Sequence, residues 1–323
     1  VIPREFGYTY AFSEGLAVVS DDPNQIATPP CQVRTMRERE KPMGYIDRAG
    51  TYVIPAAFIT AGAFSGGLAP VEYDVRKWGF INPSGDIRAV DAYSLRPFVG
   101  GYARFENEDM LEGFLDIELR VVVPPVYQQI QKFEEGLAWA RENIRGERTY
   151  FVNPRGERVL TFDVPCERAF TFGRLAVRIG RRWGFVDKTG EMVIPPLFEA
   201  TWYGFFDGLA AVRLDGEWGF VDLEGDMVIE PRFDEVMGFC GGLAAVRVGT
   251  LWGYVNASGD MIIEPRFDTA SSFLHGLASV QIDGLWGYVN ITGELLFEPR
   301  FLDVGDFYEG LARAEILSDL AAR

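Results

Sequence analysis

The chain has 323 residues, 48% of them hydrophobic and 14% aromatic, with a formal net charge of −16. That is ample apolar material for a folded interior, yet no apolar run approaches the roughly 18 residues of a membrane span, so no membrane insertion is expected. The acidic balance also disfavours phosphate backbones, which need clustered Lys and Arg, and excludes nucleic acid as the expected partner.

In chain order, the sequence opens on "VIPREF" at Val1 rather than on Met, which suggests a removed targeting segment and an exported location: periplasm, cell surface or exterior. "EGLAVVS" follows, and then "DDPNQIATPPCQVRTMRERE", residues 21–40. The leucine-to-glycine interval that runs from Leu209 to Gly219 later in the chain here stretches from Leu16 to Gly44, so residues 21–40 read as a loop inserted into the first unit. "MGYIDRAGTYVIPAAF" resumes the pattern from Met43, and "GGLAPVEYDVRKWGFINPSG" repeats it from Gly66. "DIRAVDAYSLRPFVGGYARF" from Asp86 and "LEGFLDIELRVVVPPVY" from Leu111 are eroded copies without the tryptophan, and "TYFVNPRG" from Thr149 is a third variant. From Gly173 to Ala312 the copies are regular, with leucines at Leu175, Leu209, Leu243, Leu277 and Leu311, each 34 residues after the last.

A period of 34 also suits helical repeats, so the pattern inside the unit decides. In "LAAVRLDGEWGFVDLEGDMVIEP", from Leu209, three β-branched and aromatic runs are separated by turn signals, and no capped helical face intervenes. The expected unit is a three-stranded antiparallel meander. Asp215-Gly216 and Asp283-Gly284 supply tight hairpins. The second connection, "DKTG", "DLEG", "NASG" or "NITG", reads as a type I turn capped by Asp or Asn and closed by a left-handed Gly. Trp78-Gly79, Trp183-Gly184, Trp218-Gly219, Trp252-Gly253 and Trp286-Gly287 are structural repeat residues, the glycine admitting a neighbouring ring or backbone. Strands apolar on both faces must be covered on both, so the units should stack.

These residues resemble the WG (KWG) repeat proteins of bacteria, whose pattern is legible in every unit from Gly173 to Ala312 and weaker before it. The resemblance implies a tandem β-repeat array for binding or scaffolding, and it carries no catalytic residues. The expected fold is all-β, a single array over 1–323 of eight full WG units with flanking half-units, wound as a solenoid-like or superhelical array or, alternatively, closed as a β-propeller. Residues 313–323 would form a C-terminal cap, with Leu317, Leu320 and Ala321 on a brief amphipathic helix. Left unfinished, the ends could instead pair head-to-tail between molecules.

No cofactor or metal is expected. Cys31, Cys166 and Cys240 sit at unrelated repeat positions, and His275, the only histidine, has no nucleophile in a recognisable arrangement. The recurring carboxylates are explained as turn residues, so the chain reads as no enzyme, with a carbohydrate-active hydrolase as the third reading after a head-to-tail structural subunit. The candidate interaction surface comprises the arginine rows Arg213 and Arg247, and Arg232, Arg266 and Arg300 beside Glu230, Glu264 and Glu298. Trp139, Trp202 and Tyr203 are stacking platforms outside the repeat. The expected partner is a protein or a glycan.

Overall fold

The computed structural model describes residues 8–9, 11–20, 43–143, 148–305 and 314–316. The inserted loop at 21–40 lies outside the described residues, and so do Leu317, Leu320 and Ala321 of the expected cap; Ala314–Ile316 is a strand. Among the described residues there is no helix, and so none long and apolar enough to cross a membrane.

Local chemistry builds each sheet. Asp215 and Gly216 have φ of 52° and 87°, so Leu209–Leu214 turns into Glu217–Val221 across a two-residue hairpin, as an Asp-Gly pair predicts. At the next connection the Asp222 carboxylate accepts the amides of Glu224 at 3.1 Å and Asp226 at 2.8 Å, while Gly225 takes φ 92°. Asn256 and Asn290 do the same with their side-chain oxygens.

The third strand, Met227–Phe233, explains the glycine beside the tryptophan. Trp218 pairs with Phe233 and Phe220 with Ile229, so Gly219 alone faces the bulged stretch Glu230-Pro231-Arg232. A Cβ on Gly219 would lie 2.4 Å from the Ile229 carbonyl oxygen and 2.8 Å from the Pro231 nitrogen. The close approach is therefore by the unit's own backbone. Tyr150 lies opposite a regular stretch, with Thr149 paired to Phe162, Tyr150 to Thr161 and Phe151 to Leu160 one for one. Gly79 also pairs one for one, with Ala89, yet a Cβ there would still lie 2.7 Å from the Arg88 carbonyl oxygen.

The three expected strands are present, but the connector adds a fourth. Glu235–Val236 pairs with Arg247 and Val246, giving the order Glu235–Val236, Leu243–Val248, Leu251–Asn256, Met261–Phe267. Pro231 does not end the third strand, which runs on to Phe233, and the two residues past Asp234 are again extended and lie beside an open sheet edge. Among the described residues eight antiparallel sheets follow one another, six of four strands, one of three from Leu175–Ile179 and one of five from Thr269–Ala270. Four sheets lie in a compact unit of residues 1–163 and four in a second of 164–323.

Within each unit the sheets cover one another, as strands apolar on both faces require. Leu243, Ala245, Tyr254 and Ile263 share a core cluster with Ala278, Val280 and Val289 of the following sheet. A ring pair recurs at these junctions, in which the connector's phenylalanine meets the residue directly after the WG glycine position. Phe185–Phe205, Phe220–Phe239 and Tyr254–Phe273 have centroids 5.0, 4.8 and 4.7 Å apart. Tyr45–Phe64, Phe80–Phe98 and Phe114–Phe133 repeat the pair in the first unit at 4.9, 4.8 and 4.9 Å. Of the repeat tryptophans, Trp78 and Trp252 are buried and Trp183, Trp218 and Trp286 half-buried.

The eroded copy still forms a full sheet, with Glu112 where other units place the tryptophan. Glu112 is buried, accepts the Ile130 amide at 2.6 Å, and stands 3.4 Å from the Arg104 guanidinium. Burial pushes its carboxyl above the ordinary glutamate range, outweighing the amide and the arginine. A raised folded-state value means its contribution to stability is greatest below the unfolded-state range and is lost as pH rises through the folded value. Glu112→Gln should therefore flatten this dependence, with the variant's melting temperature gaining on the wild type between acidic and neutral pH. A constant difference across that range would show that Glu112 titrates normally.

A candidate interaction surface

Most arginines of the expected rows are spoken for. Arg232 reaches from its "EPRF" segment to the Gly259 carbonyl of the next sheet at 2.5 Å, with its guanidinium 5.0 Å over the Phe233 ring. Arg266 repeats the arrangement on the Gly293 carbonyl and the Phe267 ring. Arg300 lies over Phe297 and Phe301. Arg232 and Arg266 are thus engaged with backbone carbonyls of the following turn, at which the bulge aims their side chains. Arg213 donates to the Gly216 carbonyl of its own hairpin at 3.0 Å. Arg247 donates to Gly249 at 2.7 Å and pairs with Glu235 at 2.8 Å.

Trp139 is 1% exposed, with Arg141 5.0 Å over its ring, so it has no face to offer a ligand. Its strand is covered on both sides, which the local sequence does not reveal. His275 is an exposed residue in a tight turn at φ 51°.

Trp202 and Tyr203 stand apart. In four other connectors two residues separate the short paired strand from the connector phenylalanine, as Met237-Gly238 does between Val236 and Phe239. Between Thr201 and Phe205 there are three, Trp202-Tyr203-Gly204, and the register with Leu209–Leu214 breaks there. Tyr203 accommodates the extra residue at φ 50° followed by Gly204 at 89°, a left-handed backbone that is strained for an aromatic residue. Its ring is 65% exposed. Half-buried Trp202 stands edge-on to it, with centroids 5.1 Å apart and planes at 83°, and its other contacts are Phe206 at 5.8 Å and the bare backbone of Gly238. The Thr171 hydroxyl accepts the Phe205 amide at 2.8 Å and so ties to the bulge the turn that carries Phe172, itself 50% exposed. The signal in the sequence was the extra residue and the two rings outside the repeat; Phe172, in the variable place of its turn, was missed.

Among the described residues no group of three or more His, Cys, Asp or Glu could hold a metal ion. Cys240 carries a free thiol, whose pKa burial raises.

Tandem antiparallel sheets joined by ring pairs and arginine-to-carbonyl bonds, with an exposed aromatic bulge, define a β-repeat module built for stacking. The chain belongs to the family of WG containing repeats, whose model matches residues 1–22, 43–74, 113–143, 183–218, 218–250, 252–286 and 286–316. No curated protein matches it significantly. Solved structures resemble it only distantly. The computationally designed protein Ika8 is 12% identical, with a TM-score of 0.43 over 79% of this chain and 92% of its own. BamB from Moraxella catarrhalis is 13% identical, with a TM-score of 0.37 over 72% and 80%. Kluyveromyces lactis Hsv2 is 11% identical, with a TM-score of 0.40 over 59% and 70%. Nothing about ligands is carried over from likenesses at this level.

Proposed function

We propose that the chain is a non-catalytic binding module whose partner is a protein that docks on the Trp202–Tyr203 bulge. The observation that carries this reading is Tyr203, an exposed ring held in a strained backbone on an insertion that the repeat does not need. Strain that serves no packing is characteristic of functional positions, and exposed Trp and Tyr are the side chains that most often anchor protein interfaces. The ring geometry favours a protein over a glycan. A sugar face needs rings laid flat, whereas Trp202 and Tyr203 are perpendicular and make a projecting knob.

A photo-crosslinking phenylalanine analogue in place of Tyr203 tests the reading in the native host, with the same analogue at exposed Tyr52 as control. Discrete protein adducts at position 203 and none at 52 are expected, and adding Trp202→Ala should remove them. Adducts identical at both positions, or the absence of any, would overturn the reading. So would glycan binding that Tyr203→Ala abolishes.

A further inference from the structure

Among the described residues most "GLA" leucine positions, Tyr102 among them, are entered directly through a two-residue turn in which both residues have positive φ. Glu14-Gly15 has 51° and 85°, Gly66-Gly67 has 63° and 75°, Gly100-Gly101 has 60° and 86°, and Gly241-Gly242 has 65° and 82°. Such a turn points two successive amides outward, a concavity that suits an anion. This molecule uses it that way. The Glu14 carboxylate reaches from its own turn to the next and accepts the Gly66 amide at 2.8 Å and the Gly67 amide at 3.0 Å, one on each oxygen. Asp207 accepts the Gly242 amide of the following turn at 2.9 Å.

At Gly100-Gly101 the same pair of amides is open. The residue that would reach it from the preceding turn is Gly66, which has no side chain, and no group among the described residues accepts from either amide. Both glycines border a groove of about 310 Å³ whose walls include Tyr102, Ile117, Val122 and Pro154. Charge does not close the site to an anion. Asp116, Glu118 and Arg120 also line the groove, where Arg120 pairs with Asp116 at 2.7 Å and Glu118 at 3.0 Å. Arg88, outside the lining, donates to the Glu118 backbone carbonyl at 2.7 Å and brings a second cation beside them.

We propose that the Gly100-Gly101 turn is a carboxylate-binding site, taking the carboxylate of a peptide on its two amides while the adjoining residue lies in the groove. Glu14 on Gly66-Gly67 is the internal precedent for the geometry. The site lies in the first compact unit and does not depend on the Trp202–Tyr203 reading.

The test is a glycine-selective amide NMR titration of the full chain with acetate and three short alanine peptides: one with a free C-terminus, one amidated, and one amidated with an internal glutamate. Acetate should move the Gly100 and Gly101 amides saturably and leave Gly66 and Gly67, already occupied, in place. The free-acid peptide should bind about tenfold more tightly than acetate, the groove adding roughly 1.4 kcal/mol. Binding of the free acid alone assigns a chain terminus as the source, and binding of the glutamate peptide as well admits a side chain. Gly66→Glu should abolish the response by filling the turn in cis, and Gly66→Ala, with the same left-handed strain and no carboxylate, should retain it. Glu14 and Glu135 already occupy this turn position at φ 51° and 49°, so the glutamate suits the backbone. Unmoved Gly100 and Gly101 amides, shifts shared by every exposed turn glycine, equal binding of the fully amidated alanine peptide, or an unchanged response in Gly66→Glu would each overturn the proposal.

Discussion

Gly253→Ala should destabilise the second unit by on the order of 4 kcal/mol, and Gly287→Ala, the same substitution one repeat later, by about 1 kcal/mol or less. A Cβ at Gly253 would stand 2.4 Å from the Ile263 carbonyl oxygen, 2.8 Å from the Pro265 nitrogen and 3.0 Å from the Glu264 carbonyl carbon. All three are backbone atoms, held by the Trp252–Phe267 and Tyr254–Ile263 pairs on either side of the bulge. Nothing can yield without opening the third strand. At Gly287 the nearest atoms are those of Pro299 at 3.3 Å, because the segment after Asn290 pairs more loosely: it meets its neighbour through a Val289–Leu295 bridge and the Trp286–Phe301 pair. Urea melts of the two variants decide the matter. Equal midpoints would falsify the assignment of the WG glycine to the bulge, since a role in β-propensity or chain entropy would affect both sites alike. Because sheets in an array depend mainly on their neighbours, Gly253→Ala should also give an early local transition, visible as proteolysis near 261–267 before global unfolding.

Phe239→Ala should cost about 3–5 kcal/mol, the range for removing a buried phenylalanine. The Phe239 ring is 1% exposed and meets Phe220 at 4.8 Å with planes at 67°. It follows the short strand that pairs with Leu243–Val248, yet it packs into a cluster with Phe220, Ile229 and Phe233 of the preceding sheet. The ring therefore joins two sheets that share no strand, so its loss lowers an interface as well as a core. Phe239→Leu should recover at least half of the loss, since shape is conserved better than by alanine. Thermal melts of both variants test this. If alanine and leucine are equally tolerated, the recurring ring pair is a consequence of stacking rather than a cause of it.

The Phe239 expectation concerns a contact that one repeat cannot show by itself, which bears on how legible the molecule was. The turns were readable because their chemistry is local: Asp215-Gly216 needs only its own backbone angles, and Asp222 bonds amides two and four residues on. The bulge at Trp202-Tyr203 was readable for a related reason, being a departure from a pattern that the rest of the chain repeats. Trp139 was not. It has the same look of a ring outside the repeat, but exposure depends on what the neighbouring sheet covers.

The period, the hairpins and the capped turns were all determined by residue type and spacing, because each rests on contacts within a few residues. Tertiary structure alone decided that the glycine answers the unit's own bulged strand, that Glu235–Val236 becomes a fourth strand, and that Arg232 and Arg266 bond carbonyls of the next turn instead of the adjacent glutamates. It also decided which turns hold a carboxylate. Glu14 and Gly66 lie 52 residues apart, and only stacking of one sheet on the next brings a side chain to those amides and leaves Gly100-Gly101 without one. For the arginines, the fourth strand and the turn carboxylates the physical reason is the same: a repeat's internal hydrogen bonds are written in its own sequence, while the partners of its outward-facing groups belong to the next repeat.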